Sequence, residues 1–457
     1  MKKMNELKMQ IKAPGSKWMF SLFGCLSLVL ILQSNSAVSQ SLYFPPNGVN
    51  QWDTLSPFTL GWCQDGIDSL NQFLDSNNTK AFILLKDGKI VLESYFGGFA
   101  QNDPWYWASA GKTITAFMTG IAQQEGYLDI HDTTSQYLGS GWTSCTQQQE
   151  EKITIRNQLT MTSGLDDGVA DPYCTIDTCL TYESDAGTRW AYHNAPYTLL
   201  DGVINNATGV TLNSYTNQKL LNPTGMNGLF LPNGFNNVFY STARSMARFG
   251  LLILNRGIWN GDTLMSDTTY FNEMTNTSQS LNKSYGYLWW LNGKPSFMLP
   301  TLQFVFNGPL NPAAPNDMFA ALGRNGQMLN VVPSQGLVWL RMGDTPAAGD
   351  VSVLLNNQIW ERINLLPCST TGIAVNETIF SNASCHFDKF NNTIHIQSPS
   401  AIKQLLISDA TGRVLTMAKP NESTFSTALP SINQGLVIVN IVDENGVVSV
   451  FKEVVFD

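Results

Sequence analysis

The sequence predicts a mixed α/β domain in which helices flank an antiparallel sheet and a helical subdomain is inserted, with a small all-β domain after it. Three observations carry this. A helical pattern and a hairpin open the first domain, and strands and a helix close it. The stretch between them reads as helices joined by Gly/Asn/Thr-rich loops. Residues 386–457 show only short strand patterns and turn signals. One sheet assembled from both ends of a chain, with helices between, fits that order.

Residues 40–64 read as an irregular lead-in. Ile67, Leu70, Phe73 and Leu74 then recur at helical spacing within 65–77. AFILLK, an Asp87-Gly88 turn and KIVLESYF form a hairpin over 81–96. Ile114, Phe117, Met118 and Ile121 mark a helix over 110–125, and residues 130–310 are the inserted, mostly helical part. FAALG, QMLNVVP and GLVWLRMG are the returning strands, and 352–366 closes the domain as a helix. In the tail, TIHIQ, KQLLISD, GLVIVNIVD and VSVFKEVVF are strands, with turns at Asp409–Gly412 and Asp443–Gly446. The domain boundaries follow as 1–39, 40–367, a polar linker over 368–384, and 385–457.

Residues 1–39 read as a signal peptide. Five lysines precede an apolar run from Trp18 to Leu32, and Ala37-Val38-Ser39 fits a small-x-small cleavage site before Gln40. The run is short for a membrane span, so no stable span is expected once the leader is removed. The expected location is outside the cytoplasm: secreted or on the cell surface, by way of the periplasm. The leader hides part of the acidity. The whole chain carries −9, and without these five lysines and Glu6 the balance is 21 basic to 34 acidic residues, or −13. An acidic chain without a basic cluster excludes nucleic acid as a partner. Cysteines 63, 145, 174, 179, 368 and 385 remain after the leader, and an even number in an exported chain points to disulfides. Cys174 and Cys179 are close enough to clip one loop. No C-x-x-C or nearby His pair suggests a metal, and no nucleotide-binding glycine pattern suggests a cofactor.

The chemistry-bearing residues begin at Ser109-Ala110-Gly111-Lys112, an S-x-x-K motif. The chain has three more matches, starting at Ser280, Ser400 and Ser449, but only Ser109 stands where an aromatic segment leads into an amphipathic helix. A serine there meets unpaired backbone amides and the positive end of the helix dipole. Lys112, three residues on, rises on the same face and is placed to take the serine proton. Tyr192-His193-Asn194 is the second element. Tyr192 and Asn194, two apart, point the same way on an extended stretch, with His193 turned away from both. Tyr192 suits proton transfer, and Asn194 suits holding an amide carbonyl. The third element is Arg324-Asn325-Gly326-Gln327 after Gly323, where a glycine-bearing strand lets a ligand approach the backbone.

Together these elements resemble the serine β-lactamase-like family, in its class C and esterase branch. The motif order matches, as do QLTMTSGLDD (158–167), GTRWAYHNAPYTLLDGVI (187–204), STARSMARFGLLILNRGIWNGDTLMS (241–266) and YGYLWWL (285–291). The resemblance covers roughly residues 65–365. It implies the serine β-lactamase/transpeptidase-like fold and an acyl-enzyme mechanism. Ser109 would attack a carbonyl carbon of a small-molecule or peptide-like substrate. Lys112 and Tyr192 would share the proton transfers, and Asn194 would orient the substrate. The amides of Ser109 and Gln327 would form the oxyanion hole, and Arg324 and Gly326 would face the substrate. Where the family usually has Lys-Thr-Gly or His-x-Gly, this chain has Arg324-Asn325-Gly326. That departure points to an esterase, amidase or peptidase before a β-lactamase. It also leaves a second class open: a sensor or binding protein that is acylated without turnover. The loops at 165–186 and 292–316 are expected to shape the cleft. The tail, through LLISDATGRVL, INQGLVIVNIVDENG and FKEVVF, resembles the C-terminal sorting domain of type IX secretion, which would make that machinery a partner.

Overall fold

The computed structural model describes residues 42–344, 351–368, 383–388, 391–409, 414–429, 434–445 and 448–456. The expected leader, most of the expected linker, and parts of the turns expected at 409–412 and 443–446 lie outside these residues. Among them no helix is long and apolar enough to cross a membrane.

The first helix, α1 (Gln64–Ser76), buries Ile67, Leu70 and Leu74 of the stripe its spacing predicts and leaves Phe73 half-buried. It is followed by β1 (Thr79–Lys86) and β2 (Lys89–Tyr95). Asp87 and Gly88 both take positive φ, 49° and 84°, as a two-residue hairpin turn demands. A short strand β3 (Trp105–Tyr106) leads to α2 (Lys112–Gln124). The inserted region contributes α3 (Asn194–Thr198) and α4 (Leu200–Thr208). A hairpin of β4 (Leu229–Asn233) and β5 (Asn236–Ser241) then pairs with β3. Next come α5 (Ala243–Leu254), β6 (Trp290–Leu291), β7 (Phe319–Gly323), β8 (Gln327–Val332), β9 (Leu337–Gly343) and α6 (Val353–Ile363).

The main sheet runs β2-β1-β9-β8-β7-β6, with every pair antiparallel. The first hairpin therefore zips onto the last strand, with Phe82 opposite Arg341 and Leu84 opposite Trp339. Every residue of β8 and β9 is buried, which requires cover on both faces. Consecutive strand residues supply it in alternation. Val338 meets Gly250 of α5 on one face. Trp339 meets Trp360 of α6 on the other, with ring centroids 5.9 Å apart.

Two disulfides form among the described residues. Cys63–Cys368 joins the start of α1 to the chain just past α6, where Cys63 N also donates to Leu366 O. Cys368, the first residue of the expected linker, thus takes part in closing the first domain. Cys174–Cys179 clips a loop of the inserted region, as its spacing suggests. The C-terminal strands form sheets of three and four strands around their own core of Ile394, Ile396, Leu405, Ile407, Val439 and Ile441.

Candidate active site

Ser109 is presented by a turn that the surrounding residues hold on several sides. Trp107, just before it, is fully buried. Its backbone N donates to Phe239 O and its indole Nε1 to Ser241 Oγ, each at 2.8 Å. Ala108 then takes φ 47°, a left-handed conformation that costs an alanine about 1 kcal/mol or more. Residues 108–111 form one 3₁₀ turn that runs directly into α2. Ser109 therefore sits at the N-terminal end of a helix, where its sequence context placed it, on a locally strained backbone.

Lys112 is 1% exposed. Its Nζ donates to Ser109 Oγ at 2.9 Å and to Asn194 Oδ1 at 2.9 Å. It also lies 4.0 Å from the centroid of the Tyr197 ring and 5.2 Å from that of Tyr192. An amine this enclosed exchanges its water shell for two oxygens and two aromatic faces, and proton transfer to or from Ser109 needs no solvent molecule in between. Asn194 begins α3, so the same turn that exposes its amide to Lys112 also sets Tyr192 two residues earlier. The Tyr192 ring stacks on Trp290 at 5.7 Å and meets Tyr285 edge-on at 6.2 Å, which fixes its direction.

His193, between these two, is buried away from the cleft. Burial pushes its imidazole down to about 4, against the pull of Asp167 and Asp166. It is neutral at physiological pH and lines neither cavity beside Ser109. Tyr192 and Asn194, on either side of it, do line the first cavity.

Two cavities meet at Ser109. One, of about 280 Å³, is lined by Ser109, Tyr192, Asn194, Arg324, Asp167 and Thr301 among others. The second, of about 420 Å³, is lined by Ser109, Arg324, Tyr106, Asn236, Tyr240 and Asn325 among others. Asp167 is held by Arg189 at 2.6 Å. The loops at 165–186 and 292–316 do contribute walls, through Asp167, Pro172, Tyr173, Pro300 and Thr301. Asn236 and Tyr240 carried no signal in the sequence, and Tyr106 entered only as part of the aromatic segment before Ser109.

The structure thus brings Ser109, Lys112, Tyr192, Asn194 and Arg324 together, while Gly326 and Gln327 line neither cavity. Gln327 is fully buried, and its side-chain amide donates to Gly343 O while its Oε1 accepts from Gly343 N at 3.1 Å. Gly326 is packed under Arg341. The reason is that residues 324–326 form a tight turn between β7 and β8 and are not part of a strand edge. The glycine that touches the nucleophile's backbone is Gly323. A Cβ there would lie 2.5 Å from Trp107 O, 2.8 Å from Ala110 N and 3.1 Å from Ser109 N. Since two of these atoms belong to the Ser109 turn's own backbone, no side-chain motion relieves the contact. Gly323→Ala is expected to displace the turn and lower kcat by roughly 10- to 100-fold, the scale of a shift approaching 1 Å in a reacting group. Steady-state kinetics with a melting curve check this, and wild-type kcat in a folded Gly323→Ala protein would refute it.

Among the described residues, no group of three or more His, Cys, Asp or Glu side chains is placed to hold a metal ion.

A family model described as Beta-lactamase matches residues 78–351. Among curated proteins, the 6-aminohexanoate-dimer hydrolase of Paenarthrobacter ureafaciens is 25% identical over 291 residues, covering 56% of this chain and 69% of that protein. Two solved structures share the fold. A penicillin-binding protein homologue from Caulobacter crescentus superposes with a TM-score of 0.52 at 12% identity, covering 66% of this chain and 98% of its own. A family VIII carboxylesterase does so with 0.51 at 15% identity, covering 68% and 98%. The family match takes in more than half of the chain and every residue gathered around Ser109, so this protein belongs to the beta-lactamase-like and penicillin-binding-protein-like family of serine hydrolases.

Proposed function

We propose that the protein is an exported hydrolase that cleaves an ester, amide or peptide-like substrate through an acyl-enzyme on Ser109. The observation that carries this is the buried Lys112 amine, 2.9 Å from Ser109 Oγ and held there by Asn194. Lys112 and Tyr192 take the serine proton and return it to the leaving atom. The Ser109 carbonyl adduct is then hydrolysed by water. The close packing of Gly323 on the Ser109 backbone supports the amides of Ser109 and Arg324, in place of Gln327, as the oxyanion donors. Labelling with a fluorophosphonate probe and a fluorescent penicillin, followed by mass mapping of the adduct, tests the assignment. Those probes mark the nucleophile, and turnover is read on a panel of carboxylic esters and peptides. Release of product after acylation indicates an enzyme. A stable acyl adduct left by these substrates indicates a sensor and overturns the hydrolase reading.

Arg324 lines both cavities and is permanently charged, so its proposed role is to bind an anionic substrate group and not to move protons. A charge-assisted hydrogen bond is worth about 1.5–3 kcal/mol, or roughly 10- to 150-fold in rate. Arg324→Ala is therefore expected to lower kcat/KM for 4-nitrophenyl hydrogen glutarate by that factor relative to the neutral 4-nitrophenyl pentanoate. An equal fall for both esters discards the recognition role.

The N-terminal reading proposes cleavage before Gln40, and the tail reading proposes type IX secretion through residues 385–457. The N-terminal sequence of the mature protein and the location of a chain lacking 385–457 check them.

A further inference from the structure

The turn that carries Arg324 is held by a closed ring of polar contacts that reaches back to the segment just before Ser109. Tyr106 lines the second cavity, three residues ahead of Ser109. Its hydroxyl accepts from Asn325 Nδ2 at 2.7 Å and donates to Asp344 Oδ1 at 3.0 Å. Asn325 stands in the left-handed region at φ 61°, at the centre of the turn after Arg324.

From below, the same turn rests on Arg341, whose side chain is fully buried within β9. Its Nη1 donates to Gly326 O at 2.7 Å and Asn325 O at 3.2 Å. Its Nη2 donates to Asp344 O at 2.8 Å and to Asn77 O, and its Nε to Thr79 Oγ1 at 2.9 Å. Gly326 has φ 75°, and a Cβ on it would lie 2.4 Å from Arg341 Nη1. The guanidinium thus ties the turn carbonyls of Asn325 and Gly326 to the end of β9 at Asp344 and to Asn77 and Thr79 at the start of β1. A buried polar group is placed this way when losing any one partner would leave another unsatisfied. The ring closes as Tyr106 to Asn325, Asn325 to Arg341, Arg341 to Asp344, and Asp344 back to Tyr106.

We propose that Tyr106 is a positioning residue. Through Asn325, on the footing of Arg341 and Asp344, it fixes the turn so that Arg324 is aimed across the cleft, and this sets the preference for anionic over neutral acyl substrates. The proposal rests on the recognition role of Arg324 given above. Tyr106 is suited to a test because it is half-buried and loses a single hydroxyl on change to Phe, whereas Arg341 cannot be altered without disturbing the sheet.

The experiment compares wild type, Tyr106→Phe, Arg324→Ala and the double variant on 4-nitrophenyl hydrogen glutarate and 4-nitrophenyl pentanoate. Tyr106→Phe is expected to lower the glutarate-to-pentanoate ratio of kcat/KM by at least about fivefold. In the Arg324→Ala background it is expected to leave that ratio where Arg324→Ala alone puts it, since there is no longer a guanidinium to aim. Asn325→Gly, which accepts the same φ but lacks the amide, is expected to reproduce the Tyr106→Phe ratio. A merely structural hydroxyl would slow both esters alike or act equally in both backgrounds, and either result overturns the proposal. An unchanged ratio in Tyr106→Phe, with Arg324→Ala still lowering it, overturns the positioning role alone. An unchanged ratio in Arg324→Ala overturns both readings.

Discussion

Ser109→Ala is expected to abolish turnover and covalent labelling, by a factor on the order of 10⁴ or more, while the protein stays folded. The substitution removes one oxygen, and Lys112 keeps its bond to Asn194 and its two aromatic neighbours. The turn is held by Trp107 and the packing of Gly323, not by the serine hydroxyl. Loss of a covalent nucleophile leaves only the rate that binding and backbone amides supply, which is typically smaller by several orders of magnitude. The other S-x-x-K matches provide the contrast. Ser280 is exposed in a loop remote in sequence from every cavity wall, and Ser400 Oγ bonds Asp443 among the C-terminal strands. Ser280→Ala is expected to behave as wild type. Hydrolysis and labelling at wild-type levels in Ser109→Ala would remove the serine from the mechanism altogether.

How much of this was legible in the sequence depended on the distance over which each feature is determined. The Asp87-Gly88 hairpin and the α1 stripe are set by neighbouring residues, and both fall within a residue or two of where the pattern put them. Ser109 and Lys112 are three apart on one helix, so their contact is also local. Tyr192 and Asn194 were legible because alternate residues of an extended stretch share a side, which also sends His193 the other way. The third element was misregistered for the opposite reason. Arg324-Asn325-Gly326 looks like a strand motif until Gly323 is seen against Ser109 N, a contact between segments more than two hundred residues apart. The burial of Arg341 was illegible for the same reason. A charged residue within LVWLRMG gives no sign that distant carbonyls of Asn77 and Gly326 will surround it. Cleft walls such as Tyr106, Asn236 and Thr301 come from three separate segments, and only the tertiary fold gathers them.

Lys112 and Tyr192 are expected to act as one proton-transfer unit. Either Lys112→Met or Tyr192→Phe should slow acylation by roughly 10²–10⁴-fold, the range of a general acid–base group. Met is the better replacement for the lysine, because it fills most of the same buried space and removes the amine, whereas Ala would add a cavity. Tyr192→Phe keeps the ring stacked between Trp290 and Tyr285 and removes only the hydroxyl. Geometry gives Lys112 a direct route to the serine, with its amine 2.9 Å from Ser109 Oγ. Tyr192 lines the same cavity as Ser109, where a leaving atom must be protonated. If the proton passes along one path through both groups, breaking it once forfeits most of the benefit. The double variant Lys112→Met/Tyr192→Phe should then be little slower than the worse single variant. Single-turnover acylation by 4-nitrophenyl pentanoate isolates this step from hydrolysis of the acyl-enzyme. Two single losses that multiply in the double variant would mean that each residue moves its own proton, and the shared path would have to be abandoned.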